Sequence, residues 1–131
     1  MERNASDLQW ILEYEVAQAR RHRRFVTLAM CKSKSSINIK RVLADTMRQS
    51  DVYFEFGDSL GAIMMGETDQ SGARTAIERF KKSCSGQIDL RFAVASYPQD
   101  NLAAPGFLPA VYSRLKRAEA EGEAGSVVYA D

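Results

Sequence analysis

The chain has 131 residues, 45% hydrophobic and 27% charged, and its 18 basic and 17 acidic side chains leave a net charge of +1. That size suits a single domain, 1–131, and near neutrality excludes the broad positive field of a general nucleic-acid binder, so any anion site has to be local. Cys31 and Cys84 lack metal-ligand spacing and stand at apolar positions, which predicts buried reduced thiols and a cytoplasmic setting, while the longest apolar run, Phe25 to Cys31, is too short to cross a bilayer and follows no signal peptide.

Ser6 with Gln9 three residues on has the form of a capping box, and Leu8, Ile11, Leu12, Val16 and Ala19 recur on one helical face, predicting a first helix over 7–22. It ends in Arg20-Arg21-His22-Arg23-Arg24, where the helix dipole and water favour cations; a lone His22 in such a run is a solvated residue rather than a zinc ligand. Phe25 to Cys31 is short, β-rich and almost continuously apolar, as in a strand covered on both faces. Ile39, Val42, Leu43 and Met47 predict a second helix running to about Gln49.

Val52–Phe56 and Leu60–Met65 read as a hairpin around Gly57-Asp58-Ser59, with Gly57 free to take positive φ. Thr68-Asp69 caps a third helix with Ala73, Ala76, Ile77, Phe80 and Cys84 inward, ended by Ser85-Gly86. Leu90–Tyr97 is a strand closed by Pro98, Pro105-Gly106 precedes a fourth helix (Leu108, Val111, Leu115, Ala118), and Val127–Tyr129 forms an edge strand. Trp10, Tyr14, Met64 and Met65 fit the apolar periods and are expected to be packing residues rather than a base-stacking platform.

The order βαββαβ followed by αβ predicts an α+β, ferredoxin-like fold: a mainly antiparallel sheet of about five strands with the helices on one side. Starting on a helix and stopping just after a strand is also how a domain excised from a longer protein reads.

Several phrases resemble the GGDEF domain of diguanylate cyclases: Ala17-Gln-Ala-Arg-Arg-His22, the hairpin with Gly66-Glu67-Thr68-Asp69 behind it, and Ala93-Val-Ala-Ser-Tyr-Pro98. The resemblance covers most of the chain, needs no gap from Asp51 to Asp69, and implies a nucleotidyl-cyclase palm. That family joins two GTP molecules with Mg²⁺ held by carboxylates, the hard oxygen ligands the ion needs. Here Lys32 stands at the metal-binding aspartate, Ser59 and Leu60 at the acidic positions of the signature turn, and Asp58 at a glycine position. The segment between the first strand and second helix is shortened and lacks the guanine-reading residues, and the phosphate-contacting lysine has only the offset Lys116. The resemblance therefore implies no catalytic residue, no metal and no enzymatic activity, and a lone Asp58 supplies too few ligands for a metal.

The family's inhibitory site is matched, in an Arg-x-x-Asp pair ahead of the hairpin and a further arginine beyond it: Arg48, Asp51 and Arg79. An arginine fork can bond guanine O6 and N7, an aspartate can accept from N1–H and N2–H, and the second arginine can meet phosphate. The competing reading is a surface ion pair worth roughly 0–1 kcal/mol. The expectation is a catalytically inactive, degenerate GGDEF domain acting as a cyclic di-GMP receptor that relays to another protein or domain, cytoplasmic or the cytosolic part of an inner-membrane protein. A shortened domain with a kept Arg-x-x-Asp pair resembles the PelD type, implying exopolysaccharide export. The alternatives are a ligand-free dimerisation or docking module and residual GTP binding; homodimerisation stays open.

Overall fold

The computed structural model describes residues 3–57, 59–84, 88–120, 123 and 125–130. Its elements run β1 (Arg3–Asn4), α1 (Ala5–His22), β2 (Val26–Ser33), α2 (Ile39–Leu43), β3 (Asp51–Gly57), β4 (Leu60–Gly66), α3 (Gln70–Ser83), β5 (Leu90–Tyr97), α4 (Ala104–Ala120) and β6 (Val127–Val128). One sheet has the order β1-β3-β4-β2-β5-β6. Its four long strands pair antiparallel, and the two short edge strands, β1 on β3 and β6 on β5, pair parallel. The α+β palm with a mostly antiparallel sheet is therefore present; the additional strand, β1, is too short for any sequence periodicity to reveal.

The helices lie on both faces of the sheet rather than on one. Leu8, Leu12 and Val16 of α1 and Phe107, Val111 and Leu115 of α4 pack on Val26, Leu28, Met30 and Met64. Ile39 and Leu43 of α2 and Ala73, Ile77 and Phe80 of α3 pack on Ala29, Cys31, Ile63 and Met65. Successive side chains of a strand point to opposite faces, so the unbroken apolar run of β2, buried at every position from Val26 to Cys31, requires a cover on each side.

Three local expectations are corrected. α1 starts two residues early, because pairing with β3 carries Asn4 into the extended conformation a cap needs (φ −100°, ψ 172°) and the Asp7 carboxylate accepts its main-chain N–H. Ser6 and Gln9 are already inside the helix. α2 stops at Leu43 instead of Gln49, since the Thr46 hydroxyl takes the Leu43 carbonyl and Asp51 takes the Arg48 N–H. Trp10 and Tyr14 are each 58% exposed, as positions 10 and 14 are rotated off the stripe of 8, 12, 16 and 19, whereas Met64 and Met65 are buried as expected. The Ser85-Gly86 helix end and Asp58 fall outside the described residues.

Candidate functional site

At the end of β2, Lys32 is in register with Leu60 of β4 and Arg91 of β5. Its ammonium lies 3.2 Å from Glu119 on α4, both side chains being partly exposed. Ser59, at φ 74°, turns its carbonyl to the Ser33 N–H (2.8 Å) and its hydroxyl to the Ser35 carbonyl (2.7 Å), tying the hairpin turn to the loop after β2. A small cleft of about 120 Å³ is lined by Lys32, Ser33, Lys34, Arg91 and Glu119. Arg91, 3% exposed, bonds both oxygens of Asp89 at 2.7 and 2.9 Å and the Ala118 carbonyl. The Arg91 hydrogen bond holds the Asp89 carboxyl below the usual carboxylate range. These residues do not fit Mg²⁺: the cleft is lined by three cations, Lys32, Lys34 and Arg91, against one carboxylate, Glu119, and no group of three metal-ligating side chains occurs among the described residues.

A separate cleft of about 240 Å³ is lined by Ser36 to Ile39, Tyr53, Glu55 and Gly57. Within it, the Asn38 side chain is committed to capping α2 through the Arg41 N–H at 3.1 Å. Tyr53, 6% exposed, lies across Gly61 so closely that a Cβ there would collide with the phenolic oxygen.

The second region is the junction between α2 and β3. The Asp51 carboxylate accepts the Arg48 main-chain N–H at 2.8 Å with one oxygen and Arg48 Nη2 at 3.3 Å with the other, and the Asp51 N–H returns to the Arg48 carbonyl at 3.0 Å. The Asp51 side chain is 1% exposed and that of Arg48 42%. Arg48 Nη2 also donates to the Thr68 hydroxyl. Arg79, exposed on α3, follows the Asp69 cap by ten residues, about 15 Å along the axis at a rise of about 1.5 Å per residue. The fold thus brings Arg48 and Asp51 into contact, and among the described residues no hydrogen bond or ion pair joins Arg79 to either.

Sequence reasoning missed Thr68 at this junction, although two capping-type residues in a row, Thr68 and Asp69, leave one side chain over once Asp69 has taken the Gly72 N–H at 2.8 Å. It also missed Arg91 and Arg114, whose burial no local pattern reports. A larger cleft of about 540 Å³ lies between α3 and β6, but its cations are matched within it, Arg74 over the Tyr129 ring at 3.8 Å and Lys81 on Glu78 at 3.5 Å.

No protein-family model matches this sequence, and no curated protein matches it. Solved structures do. The GGDEF domain of YfiN (TpbB) from Pseudomonas aeruginosa superposes with a TM-score of 0.89 at 15% identity, over 98% of this chain and 96% of that one. The active GGEEF domain of a diguanylate cyclase from Vibrio cholerae gives 0.80 at 13%, over 98% and 97%. The GGDEF domain of DgcB from Caulobacter crescentus, solved in complex with c-di-GMP, gives 0.77 at 12%, over 98% and 88%. The chain therefore has the fold of a GGDEF domain.

Proposed function

We propose that this chain is a GGDEF-fold domain that binds cyclic di-GMP without making it, and relays the bound state to a partner protein or domain. The observation that carries the reading is the Arg48 guanidinium: 42% exposed, yet anchored through Nη2 on Asp51 and Thr68 at a helix-to-strand junction, with Nη1 and Nε left as donors to a ligand. A pre-oriented guanidinium loses less freedom on binding than a floppy one. The DgcB complex supports the choice of ligand, and the ammonium of Lys32 supports the loss of catalysis. Arg79 serves the phosphates, reaching a different part of the ligand from Arg48. Binding acts on the partner through differential affinity for two states. Exopolysaccharide export is the process suggested by the sequence resemblance, and a cytosolic location goes with the ligand.

One observation favours the second reading, a ligand-free docking module. The Asp51 carboxylate is 1% exposed with each oxygen turned to Arg48, so it reads guanine only if the junction opens around it. Titration calorimetry separates the two: heat with cyclic di-GMP and none with GTP supports the receptor, and no heat with either puts the docking module first.

A further inference from the structure

Thr68 stands between β4 and the Asp69 cap of α3, is 3% exposed, and has its hydroxyl and carbonyl committed in fixed directions. Its hydroxyl donates to the Gly66 carbonyl at 2.9 Å. A hydroxyl has one proton, so toward Arg48 the same oxygen can only accept, which matches the Nη2–H it receives. Its main-chain carbonyl accepts the Thr27 hydroxyl at 2.7 Å, and Thr27, its proton spent, accepts from the Ser96 hydroxyl at 2.8 Å. Thr27 and Ser96 are both fully buried. Thr68 is thus pinned by a one-way chain of hydrogen bonds that begins on β5 and crosses β2, and its own hydroxyl meets an exposed guanidinium.

We propose that Thr68 is the positioning residue of the Arg48 site: its hydroxyl oxygen, its proton committed to Gly66, accepts from Nη2 and turns Nη1 and Nε toward the ligand. The ligand itself rests on the receptor reading above; the hold on Arg48 does not. Asp51 alone leaves the guanidinium a single side-chain anchor at 3.3 Å, about which it can swing. Thr68 supplies a second acceptor for the same nitrogen, and with both Nη2 hydrogens directed to fixed oxygens the plane of the guanidinium is set.

The test uses Thr68→Val, which swaps the hydroxyl for a methyl of similar size, and Thr68→Ser, which keeps it. Two quantities are measured on the whole chain: cyclic di-GMP affinity by calorimetry, and the rate at which the Arg48 Nη1 and Nη2 signals, assigned by their loss in Arg48→Ala, interchange by rotation about the Nε–Cζ bond, followed by ¹⁵N NMR. The expected result is at least a fivefold weaker Kd and at least a threefold faster Nη interchange in Thr68→Val, with Thr68→Ser within twofold of the native protein on both. A merely structural Thr68 would lower the melting temperature while leaving Nη interchange and affinity unmoved in the folded variant, and that overturns the proposal. If the native protein gives no heat with cyclic di-GMP, the receptor reading fails, and the Nη interchange alone decides whether Thr68 holds Arg48. Equal interchange in native and Thr68→Val protein sinks the proposal whatever the calorimetry shows.

Discussion

Asp51 faces Arg48 rather than solvent: one carboxylate oxygen takes the Arg48 main-chain N–H at 2.8 Å and the other its guanidinium at 3.3 Å. The pair therefore builds the α2–β3 turn as well as offering a guanidinium outward, and its variants have two readouts. Arg48→Ala is expected to weaken cyclic di-GMP binding by roughly 1–3 kcal/mol with little loss of stability, since the side chain opens no core cavity. Asp51→Ala is expected to weaken binding and also to lower stability by about 1 kcal/mol, the usual worth of a lost cap. Arg79→Ala should weaken binding with a stronger salt dependence of the lost part. Native affinity in Arg48→Ala, measured by calorimetry, would sink the receptor reading.

Incubation of the purified chain with GTP and Mg²⁺ or Mn²⁺ is expected to yield no cyclic di-GMP by chromatography. Lys32→Asp with Ser59→Asp should remain inactive, because the Asn38 side chain, spent on the α2 cap, is not free to read guanine. Product above a no-enzyme blank would show that activity does not need carboxylates at 32, 59 and 60.

The hairpin glycines are expected to be needed for different reasons. Gly57 sits at φ +140° with open space where a Cβ would project, so Gly57→Val costs backbone strain alone, roughly 1–3 kcal/mol. Gly61→Ala drives a methyl into the Tyr53 ring and costs a similar roughly 1–3 kcal/mol by overpacking. Urea denaturation of double variants distinguishes them: Tyr53→Ala should relieve Gly61→Ala and leave the cost of Gly57→Val unchanged.

Arg114, 2% exposed, bonds both oxygens of Asp100 at 3.2 and 3.1 Å and the Val94 carbonyl at 2.6 Å. Asp100→Ala removes the carboxylate from a buried guanidinium and is expected to cost roughly 3–5 kcal/mol, read by denaturation. Asp100→Asn, which keeps an acceptor for the Ser96 N–H now held at 2.7 Å, should cost less.

Burial pushes the thiols of Cys31 and Cys84 up from their ordinary value. A raised folded pKa keeps the thiols protonated, so their contribution to stability is full below the unfolded value of about 8.5 and is lost as pH rises above it. Neither cysteine is expected to react with a thiol-specific disulfide reagent in the native protein at pH 8, and both should react in denaturant. Rapid native labelling would contradict the burial of Cys31 at 0% exposure.

Elements with local signals were legible in the residues alone. The β-rich run of β2, the Gly57 hairpin and the Asp69 cap each depend on residues close in the chain, and the contact of Arg48 with Asp51 follows from a spacing of three. That positions 32, 59 and 60 carry no carboxylate is likewise plain from residue identity. Everything else waited on the folded chain, because each remaining question joins residues far apart in sequence. Helices cover both faces because β2 is buried on each side. Asn4 rather than Ser6 caps α1 because β1 pairs with β3. Asp51 points inward, and Arg48 acquires its second anchor, because the end of β4 brings Thr68 beside the start of β3, twenty residues from Arg48 by number but adjacent across the sheet. Hydrogen-bond direction is set by which partners the fold has already consumed, and no periodicity in a single chain records that.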